Sequence, residues 1–354
     1  MLLMCGVERT DSDSRPEVRS SGSKHYLRGS AFVRPTWNKC FPNSTPPVER
    51  TGCFFLHITG AAATIWGMSE PAAVATAQTR RRPIRLGVVS FVNTLPLIDG
   101  LQNLADVELR FTVPSRLLQQ LLDDEVDVAL CSAIDYQRST EPLVILPAGL
   151  LGCDGATLTV RLYSNVPVER IERIYCDTDS HTSIVLMQIL LKEIYDLAPE
   201  LIDYHAREHV ARNRPIDWPE SMLLIGDKVV TDSPPAIRYP HQLDLGAVWV
   251  EHTGLPFVFA LWMAKCRTDA GLLSAVGAVL DRQRRHNELD RLDRIVQRSA
   301  VPRHWPGDLA ADYLKQKLAF EFTERRLAGL ELFYQKAFDH GLIPQARKLE
   351  ILAT

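Results

Sequence analysis

Ile84-Arg85-Leu86-Gly87-Val88-Val89-Ser90-Phe91-Val92-Asn93-Thr94-Leu95-Pro96 marks a sharp change in the sequence pattern and carries its first architectural signal. Its apolar first half reads as a buried strand, which ends in a small polar cluster at Ser90. Pro96 and a helix-like stretch to Leu101 follow. The pattern then repeats. Val107 to Val113 is a second strand, and Pro114 suits the first turn of a helix. Leu117, Leu118, Leu121 and Leu122 give that helix one apolar face, and Asp127 to Ser132 is a third strand. Alternation of strand and helix through short connections calls for right-handed crossovers and parallel neighbours.

Further along, Thr157 to Tyr163 and Phe257 to Met263 are two extended runs with another α/β block between them. That block holds a strand at Ile171 to Asp177 and a short buried strand at Met222 to Gly226. Between these lies a helix from His181 to Tyr195, with apolar Ile184, Val185, Met187, Ile189, Leu190, Leu191 and Ile194. After Met263 the chain reads as helical, with a last amphipathic stretch from Asp308 to His340 closed by Gly341 and Pro344. A block inserted between two extended crossings is the wiring of a two-lobed hinge protein. The fold class expected is α/β, with two mixed or parallel sheets joined by hinge strands. Lobe one comprises 84–160 and 255–354, and lobe two 161–254. A ligand would sit in the cleft at the carboxyl ends of both strand sets.

With 354 residues the chain is long enough for two such lobes and an extension. A net charge of -3 gives no general positive field, so nothing in it points to nucleic acid or an anionic membrane. Any anionic ligand must be held by local features. The seven cysteines are scattered without a C-x-x-C, which favours free thiols in a reducing compartment over disulfides or zinc. His205 and His209 are four apart but read as surface imidazoles, and no metal site is expected. Residues 1–83 differ in character, being irregular and rich in Ser, Pro and Arg. Their apolar patch from Cys53 to Met68 is too short and too far from the start for a clear span or leader. They read as a disordered extension or, for 1–67, as a mis-assigned start ahead of Met68.

Four junctions could carry chemistry. Ser90 and Asn93 stand at the carboxyl edge of a parallel sheet, where the next helix offers unpaired N–H groups. Asn93 can donate and accept at once, and so could hold a hydroxyl and a carboxylate oxygen together. The same residues serve equally well as a helix cap and turn. Asp177-Thr178-Asp179-Ser180-His181-Thr182-Ser183 places two hydroxyls at a helix start, an anion seat without Lys or Arg, or else a capping run. Ser132, in Cys131-Ser132-Ala133-Ile134-Asp135-Tyr136, could add a hydrogen bond to a ligand, while Asp135 and Tyr136 read as capping and packing groups. Asp227, in Ile225-Gly226-Asp227, could face the cleft or close a turn. Phosphate-loop, dinucleotide and nucleophile-elbow motifs are absent, which disfavours phosphoryl transfer, nicotinamide chemistry and acyl-enzyme chemistry.

Taken in order, Gly87–Leu97, Glu125–Tyr136, Asp179–Ser183, Leu224–Asp227, Asp244–Trp249 and Thr253–Trp262 resemble the chorismate dehydratase family of the futalosine route to menaquinone. The resemblance covers about 84–345. Phe91, where the family often has Tyr, and Cys131, where a small polar residue is usual, are departures from it. It implies a type II periplasmic-binding-protein-like fold used as a cytoplasmic hydro-lyase on the small molecule chorismate. No cofactor and no membrane or nucleic-acid partner is implied. By this resemblance Asn93 matches the catalytic Asn, while Ser132, Thr182 and Ser183 match ligand-binding positions. Ser90 and Asp227 are added as substrate-binding candidates from their junctions. Rival readings are the 1,4-dihydroxy-6-naphthoate synthase of the same pathway and a non-catalytic solute-binding protein.

Overall fold

β1 (Ile84–Val89) lies between two parallel neighbours, β2 (Val107–Thr112) and β3 (Val128–Ser132), in the computed structural model, which describes residues 82–206 and 218–353. The expectations for residues 1–81 and for His209 lie outside the described residues. The first sheet is completed by β4 (Leu143–Cys153) and by a late strand, β10 (Phe257–Lys265), in the order β2-β1-β3-β10-β4. A second sheet holds β5 (Val160–Ser164), β6 (Arg173–Asp177), β7 (Glu200–Tyr204), β8 (Ser221–Ile225) and β9 (His241–Asp244), in the order β7-β6-β8-β5-β9.

Both sheets are mixed for the same reason. β10 runs antiparallel to β3 and β4, and β5 antiparallel to β8 and β9. These two strands carry the chain from one sheet into the other. Each enters beside the carboxyl end of its neighbour: Ala260 pairs with Ser132, and Val160 with Ile225. A strand that starts where its neighbours finish must run against them.

The longer helices are α1 (Pro114–Leu122), α2 (Thr182–Tyr195), α3 (Leu245–Thr253), α4 (Ala270–His286) and α5 (Glu324–Asp339). α1 buries Leu117 and Leu121, one helical turn apart, as its leucine pattern requires. Asp244, Asp269 and Thr323 cap α3, α4 and α5 by accepting from Ala247, Leu272 and Arg326 N–H. One contiguous apolar cluster runs through both sheets. A smaller cluster of Tyr163, Tyr204, Trp218, Met222, Leu224, Val229 and Tyr239 lies on the other face of the second sheet. Alternation explains the split: Leu162 and Leu223 face the main core, and their neighbours Tyr163, Met222 and Leu224 face away from it.

Two features depart from the local pattern. β4 contains Pro147, but it is an edge strand, where a missing donor is tolerated. The expected helical stretch from Asp308 to His340 is broken. A short helix, Gly307–Asp312, passes into a π-helical turn at Tyr313–Lys317, and the chain is extended before α5 begins. The cause is tertiary. Ala319 exchanges main-chain hydrogen bonds with Gly152 at 2.8 and 2.9 Å, and Phe320 O accepts from Leu150 N–H at 3.0 Å, so the edge of β4 draws this segment off the helical path.

Candidate active site

The carboxyl ends of β1, β3, β6 and β8 converge on one cavity, closed by the two crossing segments and by Tyr313 and Leu318. At the end of β1 the chain makes a tight turn over Val92–Thr94. Thr94 Oγ1 fixes that turn, lying 2.7 Å from Val89 O and 2.9 Å from Phe91 O. Asn93 at its centre lines the cavity. Ser132 lines it from the end of β3, and Thr182 and Ser183 from the start of α2, with about 640 Å³ of unfilled space between these walls, part of it open to solvent. Four of the six expected residues thus share one cavity.

The other two do not. Ser90 is exposed and belongs to a neighbouring depression with Thr112, Ser115, Arg116, Thr178 and His205. Asp227 is not among the cavity-lining residues. Its carboxylate accepts from Val92 N–H at 3.0 and 3.3 Å, tying the end of β8 to the turn after β1. Beside it Gly226 has φ +71°, and a Cβ there would come within 2.9 Å of the Phe91 ring. Thr182 is also engaged between the halves: its hydroxyl accepts from Ile134 N–H at 3.2 Å and donates to Phe259 O at 3.2 Å. That leaves the Ser183 hydroxyl and the early N–H groups of α2 other than Ser183 N–H, which itself donates to Ser180 Oγ at 3.3 Å, as donors there. Asp135 is buried and pairs with His181 Nδ1 at 2.7 Å, while Tyr136 donates to Lys348 O.

Electrostatically the cavity is close to neutral. Its only ionisable carboxylate among the described lining residues is Asp179, which Lys228 approaches at 3.3 Å; Lys228 also pairs with buried Asp177 behind it. No Lys, Arg or His lines it among the described residues. Nearby thiols are not nucleophiles: burial raises Cys131 well above its ordinary value and pushes Cys153 up to about 12. Tyr313 is fully buried, its ring stacked on Trp305 with centroids 5.0 Å apart. Its hydroxyl lies 2.6 Å from Thr159 Oγ1. Burial holds the phenol far above its ordinary range, although the neighbouring Thr159 hydroxyl pulls the other way. The Asn93 Oδ1 atom is buried and accepts no hydrogen bond.

Residues 84–339 match the family model described as menaquinone biosynthesis. The chain belongs to this family. A relative of the menaquinone-biosynthesis protein, the chorismate dehydratase of Thermus thermophilus, is 29% identical over 233 residues, spanning 62% of this chain and 82% of that one. Among solved structures, protein AF1704 from Archaeoglobus fulgidus superposes with a TM-score of 0.57 at 15% identity, over 74% of this chain and 98% of its own. The alkanesulfonate-binding protein SsuA from Xanthomonas axonopodis pv. citri gives 0.52 at 12% identity, over 77% and 99%. The Candida albicans CA3427 gene product, described as having the generic periplasmic binding protein fold, gives 0.52 at 10%, over 75% and 92%. These likenesses establish the periplasmic-binding-protein-like fold. The family match begins at Ile84, the first residue of β1, and all six expected site residues lie inside it.

Sequence reasoning missed Tyr313 and Thr159 in this menaquinone-biosynthesis site. Tyr313 reads locally as one more apolar residue of an amphipathic helix, and nothing around it signals the π-helical turn. Thr159 sits in a Thr157-x-Thr159 run that reads only as β-prone. No motif marked either one.

Proposed function

We propose that the protein is a chorismate dehydratase, a hydro-lyase converting chorismate to 3-[(1-carboxyvinyl)oxy]benzoate and water in the futalosine route to menaquinone. We place it in the cytoplasm and give it no cofactor. Among the described residues no helix is long and apolar enough to cross a membrane. One observation carries the reading within this family: Asn93 and the Ser183 end of α2, from different sheets, line a single cavity with neutral hydrogen-bonding walls.

The chemistry suits such a site. The C–H on the ring carbon that bears the enolpyruvyl ether breaks, its electron pair enters the ring, and the C–O bond of the neighbouring carbon releases hydroxide, which takes the proton over from its acceptor and leaves as water. The ring becomes aromatic, so the elimination is strongly downhill. Positioning is what remains to be supplied, and that can contribute up to ~7–11 kcal/mol. Asp179, the one carboxylate among the described lining residues, is held by Lys228. The substrate's own enolpyruvyl carboxylate is therefore the proton acceptor in our scheme, with Asn93 orienting it and the departing hydroxyl. Ser183 and the start of α2 would seat the ring carboxylate against main-chain N–H groups. Thr182 would act through its main chain, and Ser132 would add one further bond.

The test is to mix purified protein with chorismate and follow the ultraviolet absorbance of the aromatic product. Asn93→Ala is expected to lower kcat by roughly 10²–10³-fold or more, with chorismate binding changed only a few-fold. Absence of the aromatic product with the unaltered protein would overturn the activity. Near-native turnover by the variant would overturn the role of Asn93.

A further inference from the structure

We propose that the depression beside the cavity is its antechamber, where Arg116 captures the dianionic substrate before it passes Asp179 on its way in. Strand order supplies the first ground. The cavity gathers the ends of β1 and β3 in one sheet and of β6 and β8 in the other. The depression gathers the ends of β1 and β2, through Ser90 and Thr112, and of β6 and β7, through Thr178 and His205. β2 lies outside β1, β7 lies outside β6, and each is the edge of its sheet. The two hollows are therefore successive stations of one cleft, the depression standing one strand nearer the edge in both sheets. Their walls are also shared. Phe91, Pro114 and Ser180 line the cavity, while Ser90, Ser115 and Thr178, one or two residues away, line the depression. Asp179 lines both. The depression holds about 1300 Å³ of unfilled space, part of it open to solvent.

Charge separates the two stations. No Lys, Arg or His lines the cavity among the described residues, whereas Arg116 and His205 line the depression. The carboxylates there, Asp177 and Asp179, are both engaged by Lys228. Arg116 is exposed, and among the described residues its side chain makes no hydrogen bond and no ion pair. Its charge is uncommitted. A chain of net charge -3 repels a dianion at long range, so a cation at the mouth is what favours the approach of such a ligand. The hydroxyls of Ser90 and Ser115 beside it can donate to a carboxylate. A cation placed there speeds entry without touching the ring at the reacting position, which is left to the neutral inner walls. The inference rests on the dehydratase reading, which makes the ligand a dicarboxylate, and two measurements separate the fates of the two ideas.

The first is kinetic. At an ionic strength of ~10 mM, where charges act over about 30 Å, Arg116→Gln should lower kcat/KM for chorismate roughly 5- to 10-fold and leave kcat within about twofold. In the parent kcat/KM should fall as NaCl is raised to ~0.5 M, and in the variant it should change little. Arg116→Lys keeps the charge and should recover most of the loss. Arg294→Gln removes the same charge from an exposed residue that lines neither hollow, and should match the parent. Equal salt dependence in the parent and Arg116→Gln, or an equal loss in Arg294→Gln, would overturn the inference.

The second measurement needs no turnover. Isophthalate, a stable aromatic dicarboxylate, is mixed with the protein by stopped flow, and tryptophan fluorescence follows its binding. At low salt its association rate constant should be about 5- to 10-fold lower in Arg116→Gln, with dissociation changed less than about twofold. No binding by the parent, or a loss carried by dissociation alone, would sink the antechamber even if turnover fell. If the parent leaves chorismate unchanged while association still follows Arg116, the dehydratase reading falls and the antechamber stands.

Discussion

Lys228 is only 8% exposed and reaches two carboxylates, Asp177 and Asp179, the former itself 1% exposed. Asp177 also accepts from the N–H groups of Asp179 and Ile225, so this one residue knits the end of β6 to the end of β8. Lys228→Met would strand a buried charge, and we expect a loss of ~3–5 kcal/mol in unfolding free energy, read from a denaturant midpoint. Legibility at this scale depended on alternation. Asn93, Ser132, Thr182 and Ser183 were recognisable as small polar residues at strand ends, where an α/β fold gathers its ligands. Ser90 was not separable from them in sequence. Yet Val89, its neighbour, lines the cavity, and successive residues of an extended chain face opposite ways, which turns Ser90 outward. Asp227 has the right neighbourhood, but Val92 N–H occupies its carboxylate, a claim no local pattern reveals.

Helices and central strands were readable because their periodicity reflects which face they bury. β4 and the break before α5 were not, because a pairing between Gly152 and Ala319 overrides the local pattern. α5 also shows how closely elements approach here. A Cβ on Gly329 would lie 2.1 Å from Pro256 O, the carbonyl that accepts from Trp249 Nε1. Ala is the better helix former by up to ~1 kcal/mol. Against main-chain oxygen at that distance the preference should lose. Gly329→Ala is expected to destabilise the protein by about 1–3 kcal/mol, measured by urea unfolding, and a gain would contradict the close approach of α5 to Pro256.

Across the whole molecule, the two sheets share a core and are also joined at their surface. Glu193 of α2 accepts from Lys336 Nζ at 2.7 and 2.9 Å, from His340 Nε2 at 2.9 Å and from His252 Nε2 at 2.7 Å, bringing α2, α3 and α5 together. Partial burial raises the Glu193 carboxyl, and these hydrogen bonds more than reverse it, leaving it at about 2 against an ordinary 4.5. A group depressed on folding stabilises above its unfolded value and stops doing so as acid protonates it. Glu193→Gln should therefore lower Tm at pH 7, and the gap should close as pH falls from 4.5 toward 2. A gap unchanged by acid would show that this carboxylate carries no such linkage.

The hold of Asp227 on the Val92 N–H, together with the Thr182 hydroxyl bridging Ile134 and Phe259, also bears on how fast the site can empty. Aromatisation removes one hydroxyl from the guest and leaves both its carboxylates intact, so the chemical step barely loosens its grip. Departure must then wait for thermal gaping of the two halves against solvent drag. Raising the viscosity of the medium with sucrose should slow steady-state turnover in proportion, whereas a rate indifferent to it would mean that bond breaking, not egress, sets the pace.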